Sequence, residues 1–384
     1  MTLLKNLKIL DFSALLPGPY ATMILSDLGA DVLRVEAPSK SEDDSVSAKD
    51  GYLNRSKKSI ALNLKVPETV EVVKQLVQDY DIVLEQFRPG VMDRLGLGYE
   101  ILKEINPKLI YCSLTGFGQT GPYRRRPGHD NNYLAMSGIV SYSGQKGQAP
   151  PLIGTQVADL AGGSMNAVIS ILAAYIHREQ TGEGQYIDIS MTDCAFALNA
   201  LFGSEYLVSG VNPEQESTLL NGGTFYDYYE TKDGRYISVG SIEPQFRKLL
   251  CEGIGRSDLF ELSMSQKPGD EKNFKGAVQS AFLTKTFDEW NQIFGELEAC
   301  VEPVLTFGEA AEHPQIMERK MVVEVAAQNG KTVKQIACPI KSSIFTPAYK
   351  HIGSIQGQDT TEILKGLDIS DDTIAEWRNR GIIN

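Results

Sequence analysis

Two periods of apolar positions organise the first third of the chain. Lys8–Ser13 (KILDFS) alternates and is β-rich, which predicts a strand. Pro17, Gly18 and Pro19 then turn the chain, and ATMILSDLG carries helical spacing, with Pro19 in its first turn and Gly29 as its C-terminal cap. DVLRVEAP (Asp31–Pro38) is the next strand. The polar run Lys40–Gly51 reads as a loop, and SIALNL as a strand behind Arg55, Lys57 and Lys58. A Pro-started helix (PETVEVVKQLVQDY), a strand (DIVLEQF), a turn with a short helix (RPGVMDRLGLGYE) and a strand running into a glycine-rich loop (NPKLIYCSLTGFG) follow. Such βα alternation is the signature of a parallel, doubly wound sheet. The first βα turn lacks the G-x-G-x-x-G spacing, so a dinucleotide site is not indicated.

Further along, LAGGSMNAVISILAAYIH behind Asp159 predicts a buried helix to about His177. QYIDISM is a strand, and TDCAFALNALFGSEYLVSG one further apolar helix. Near Asn212 the texture changes to aromatic β runs joined by Lys232-Asp233-Gly234, a hairpin signal. These patterns predict an α/β protein: a large Rossmann-like domain with a parallel sheet over 1–209, a smaller α+β domain over 210–325, and a C-terminal segment over 326–384 that returns to the large domain.

The composition is that of a globular chain, with 42% apolar and 22% charged residues. A net charge of −12 argues against a nucleic-acid partner. No apolar run reaches membrane-spanning length, so no membrane association is expected. Five scattered cysteines without C-x-x-C spacing predict neither a disulfide framework nor a zinc site, and suit the cytoplasm.

Candidate chemistry concentrates between Gly128 and Asp159. Among four histidines, His129 is the one set on a loop of Gly, Asp and Asn, behind Arg124, Arg125 and Arg126. Asp159 stands at the threshold of the apolar helix. Taken singly, Asp159 is first an N-cap and His129 a polar loop residue. Together they make an acid–base pair for one small pocket. The amide N–H groups of that helix start would face developing negative charge, and Gly162 and Gly163 serve either close substrate approach or helix packing. Arg55, Lys57, Lys58 and Arg88 flank strand ends, where open α/β sheets bind ligands, so either a phosphate-bearing ligand or a solvated surface accounts for them.

Several longer stretches carry a resemblance. LLPGPYATMILSDLGADVLRVE, NRSKKSIALNLK, EQFRPGVMDRLGLG, PKLIYCSLTGFGQTGPY, GHDNNYLAMSG, VADLAGG, TGEGQYIDISM and SIEPQF together resemble family III CoA-transferases. His before the Asp of GHDNNYLAMSG, and SIEPQF, place the resemblance in the α-methylacyl-CoA racemase branch. It implies that His129 and Asp159 exchange protons with the α-carbon of a 2-methylacyl-CoA thioester, and that Glu243 orients His129. It implies CoA contacts from Arg55, Lys57, Lys58, Arg88, Gly128, Asp130 and Tyr133. No metal and no cofactor beyond the CoA of the acyl-CoA substrate are expected. Racemases often carry an Arg just after the second strand; here Ala37 stands there. An interlocked homodimer is also implied, with Glu243 reaching the site from the second chain. The alternative is CoA transfer between an acyl-CoA and a carboxylate, with Asp159 as nucleophile.

Overall fold

The structure is a computed structural model that describes residues 2–38, 51–327 and 330–384. The chain divides into two compact units. One comprises the chain up to Ser137, Ile153–Leu198 and Pro314–Asn384; the other comprises Gly138–Leu152 and Asn199–His313. These are not three consecutive segments: a short excursion before Ile153 already belongs to the second unit. The predicted loop at 40–51 lies, apart from Gly51, outside the described residues.

In the first unit, six strands form one parallel sheet in the order β3-β2-β1-β4-β5-β6. They are β1 (Lys8–Phe12), β2 (Asp31–Glu36), β3 (Lys58–Ala61), β4 (Ile82–Glu85), β5 (Ile110–Thr115) and β6 (Gln185–Ser190). The order reverses between β1 and β4, paired from Ile9↔Ile82 to Phe12↔Glu85. A ligand crevice is expected beyond the carboxyl ends of the strands at such a switch point. β4 and β5 are buried at every position, as strands covered on both faces must be.

The helices of this unit are α1 (Pro17–Asp27), α2 (Pro67–Val77), α3 (Val91–Arg94), α4 (Tyr99–Ile105), α5 (Asp130–Met136), α6 (Met165–Thr181) and α7 (Met191–Ala197). α1 starts with Pro17 at its N-terminus and stops where Gly29 adopts a φ of 108°, a conformation without steric cost only for glycine. One core packs α2 and the strands against the C-terminal segment, whose Ile374, Trp377, Ile382 and Ile383 join Leu33, Ile60 and Val73. Ile383 also forms a bridge with Leu62 beyond the end of β3.

Three sequence expectations change. The helix predicted behind Asp159 is preceded by a π-helical stretch, Val157–Ser164, that runs directly into α6. The combined 25 residues, Val157–Thr181, are long and apolar enough to cross a membrane by length and composition, contrary to the expectation that none would be. Ala158, Gly162, Gly163, Ala167, Ile171 and Ala174 on it are nonetheless buried in the unit itself. The helix predicted over 192–210 is two: α7 ends before Leu198, and a separate helix, Phe202–Ser209, follows. Asn199 stands at the break, accepting from the Tyr142 hydroxyl at 2.8 Å, where the chain enters the second unit.

The second unit holds a three-stranded antiparallel sheet of Asp227–Glu230, Tyr236–Val239 and Val301–Pro303. The first two form the predicted hairpin, paired from Asp227↔Val239 to Glu230↔Tyr236. Phe225, Tyr229, Phe274, Phe282, Trp290 and Phe294 fill its core.

Candidate active site

The turn into α5 and the π-helical stretch bring the candidate residues together. His129 precedes α5 with extended backbone (φ −130°, ψ 174°) and an exposed side chain. Its N–H donates to Asn132 Oδ1 at 3.0 Å, and its carbonyl accepts from Asn132 N at 2.8 Å. These reciprocal bonds close the helix start and fix where the imidazole leaves the chain. Tyr133 braces the turn from beneath: its hydroxyl donates to Gly128 O at 2.5 Å and its ring packs edge-on against Phe117. A Cβ at Gly128 would lie 2.7 Å from the Tyr133 ring, so a side chain there would displace the tyrosine.

Asp159 is not the N-cap of an α-helix. It is the third residue of the π-helical stretch, where the backbone N–H groups of the first turn lack partners within the helix. Its N–H donates to Asp130 Oδ1 at 3.0 Å. That amide is therefore engaged, and does not face a reacting group as the sequence suggested. The single proton of Ser164 Oγ is shared between Pro17 O at 2.7 Å and the Asp159 carbonyl at 2.9 Å, which ties the stretch to the start of α1.

The Asp159 carboxyl is half-buried. Burial pushes it up to about 6, the nearby Asp130 carboxylate adds to the rise, and His129 opposes it. The fold thus brings His129, Asp130, Tyr133 and Asp159 into one electrostatic neighbourhood. Burial also raises the Tyr133 hydroxyl to about 12, with Asp159 and Asp130 contributing. Gly162 and Gly163 serve packing: a Cβ at Gly163 would meet Met191 Cγ at 2.7 Å and Leu114 Cδ1 at 3.1 Å.

The predicted cations separate into two groups. Arg55 and Lys57 are fully buried, and this corrects their reading as loop charges offered to a phosphate. The Arg55 guanidinium pairs with both oxygens of Asp27, at 2.8 and 2.5 Å, donates to Ile336 O, and lies between the Tyr52 and Tyr349 rings. Lys57 Nζ donates to Thr22 Oγ1 at 2.6 Å and Pro19 O at 2.9 Å, and sits 3.5 Å from Asp11. Burial pushes Lys57 down to about 8 against the pull of Asp11. A buried cation is retained only with such partners. Lys58 and Arg88 are exposed; Lys58 lies 3.9 Å from Glu362. Arg88 stands in the turn after β4, at the switch point. Gln86, which sequence reasoning did not single out, links the end of β4 to the start of α1: its Oε1 accepts from Gly18 N at 3.2 Å. Glu243 belongs to the second unit, exposed at the residue before the helix Pro244–Gly253, with no capping hydrogen bond from its side chain.

Known proteins resemble this chain over nearly its whole length. The protein named alpha-methylacyl-CoA racemase from Homo sapiens is 38% identical over 383 residues, covering 99% of this chain and 97% of that protein. The human succinyl-CoA:glutarate CoA-transferase is 31% identical over 398 residues, covering 99% of this chain and 90% of its own. A crystal structure of a CAIB/BAIF family protein from Brucella suis superimposes with a TM-score of 0.82 at 29% identity, covering 96% of this chain and all of that one (100%). Residues 4–360 match the family model of CoA-transferase family III, and the chain belongs to that family.

Proposed function

We propose that this family member is a racemase of 2-methylacyl-CoA thioesters, acting by proton transfer at Cα through an enolate-like intermediate. The observation that carries the reading is the 3.0 Å bond from the Asp159 N–H to Asp130 Oδ1, which sets the half-buried Asp159 beside the turn that bears His129. Similarity to the racemases of Homo sapiens (38%) and Mus musculus (35%) supports the same choice.

Racemisation needs one group to take the α-proton and another to return a proton to the opposite face. His129 and Asp159 fill the two roles, exchanging them with direction. A carboxyl raised to about 6 is a better base than an ordinary aspartate and still ionises near neutrality. Glu243 of a second copy orients His129, Arg88 and Lys58 meet the CoA phosphates, and the reaction asks for no cofactor beyond the substrate's own CoA. A homodimer fits the exposed stripe Ile169, Ala173 and Ile176 along α6, which a second copy would cover. Light scattering on the purified protein tests it, and a monomer at micromolar concentration removes it.

The test of the reaction is incubation of each enantiomer of a 2-methylacyl-CoA in deuterated water. Racemisation incorporates deuterium at Cα with loss of configuration and without an acyl acceptor. The similarity to a succinyl-CoA:glutarate transferase supports one other reading, with Asp159 as nucleophile. That reading predicts a carboxylate acceptor, intact Cα configuration, and an Asp159 thioester trapped by hydroxylamine.

A further inference from the structure

Asp130 adjoins His129 in sequence but touches Asp159. Its Oδ1 accepts the Asp159 N–H at 3.0 Å, the single side-chain hydrogen bond between the α5 turn and the π-helical stretch among the described residues. That N–H is the kind of group a π-helical start leaves without an internal acceptor. The same carboxylate places a negative charge beside the Asp159 carboxyl.

We propose that Asp130 is a positioning residue: its carboxylate holds Asp159 against the His129 turn by accepting the Asp159 N–H, and sets its charge beside the Asp159 carboxyl. The inference rests on the assignment of Asp159 as a reacting group. From the α5 turn, His129, Asp130 and Tyr133 face Asp159 electrostatically, and α7, packed on the same stretch, brings Asp193 and Cys194. Of the groups acting on the Asp159 carboxyl, Asp130 raises its pKa and His129 lowers it.

Two variants separate anchor from charge. Asp130→Asn keeps an acceptor oxygen and loses the charge; Asp130→Ala loses both. The Asp159 carboxyl is titrated directly by 13C NMR in aspartate-labelled protein, its signal identified with Asp159→Asn. Both Asp130 variants are expected to lower that midpoint. The acid limb of kcat/KM moves down with it. Asp130→Ala is expected to lose on the order of tenfold more kcat than Asp130→Asn, as misplacement of a reacting group does. The Asp159 amide, followed by 15N NMR, is expected to exchange faster only in Asp130→Ala.

An unmoved Asp159 midpoint in Asp130→Asn overturns the charge role. Equal amide exchange in the two variants overturns the anchor. Both NMR readouts stand without turnover, so failure of the racemase reading leaves this outcome distinct: a shifted titration in a protein without α-exchange keeps Asp130 in place and changes only what Asp159 does.

Discussion

At the scale of single residues, protonation governs the behaviour of the site. A pair working by proton return must hold one proton between its members, so activity falls once both are protonated. With Asp159 raised to about 6, kcat/KM is expected to decline as pH drops through about 6. The equilibrium constant between enantiomers does not depend on pH, so both must show the same limb. Initial rates for each enantiomer between pH 5 and 8 check this, and a limb in one alone contradicts the assignment. Glu243→Gln is expected to lower kcat with no change in the protein's oligomeric state, since a catalytic imidazole needs an acceptor to fix its tautomer; full activity in that variant reduces Glu243 to a helix-start residue. His129 and Asp159 stood out as candidates in the sequence because their neighbours resemble a known family pattern. The fate of Arg55 and Lys57 was not legible there. Their carboxylate partners, Asp27 and Asp11, lie 28 and 46 residues away in sequence. A cation beside a strand looks the same in sequence whether its partner is a phosphate or a carboxylate brought there by folding.

At the scale of elements, the strands and helix starts of the sheet were readable from period and punctuation, while the π-helical stretch was not. Eight residues, half of them Ala or Gly, fit a 3.6-residue and a wider winding equally well, so only the packing of α1, α5 and α7 against them selects one. The glycines make that packing testable. Gly163→Ala would push a methyl into Met191 and Leu114, an overpacking expected to cost about 1–3 kcal/mol. Gly162→Ala meets its nearest neighbour, Cys194 Cβ, at 3.3 Å and is expected to cost less. Urea denaturation of the two variants gives the order; equal midpoints would mean that α7 yields freely. The break after α7 escaped sequence reading for a similar reason. The apolar period continues through it, and it is the Tyr142–Asn199 hydrogen bond that marks the passage between units.

For the molecule as a whole, the buried Arg55–Asp27 pair acts as a structural tie. It joins α1 to the residue after the 3₁₀ turn Tyr52–Asn54, and through Ile336 O and the Tyr349 ring to the C-terminal segment. Burial raises the Asp27 carboxyl and the guanidinium draws it back. Arg55→Ala strands a buried carboxylate, and is expected to cost about 3–5 kcal/mol. Arg55→Met with Asp27→Leu is expected to recover much of that loss, as measured by the unfolding midpoint. Arg88→Ala, exposed at the switch point, is expected instead to weaken CoA binding at low salt with little change in stability, which calorimetric titration against free CoA would read. The return of Pro314–Asn384 to the first unit has a consequence for synthesis. The ribosome must make all of Asn199–His313 before the residues that complete the first core, Ile374, Trp377, Ile382 and Ile383, emerge. At elongation rates of about 5–20 residues per second, that leaves the apolar face of α2 and the β3 edge waiting for on the order of tens of seconds. The nascent sheet is then a client for chaperones, and stalled chains ending at His313 should remain protease-sensitive until the tail is supplied.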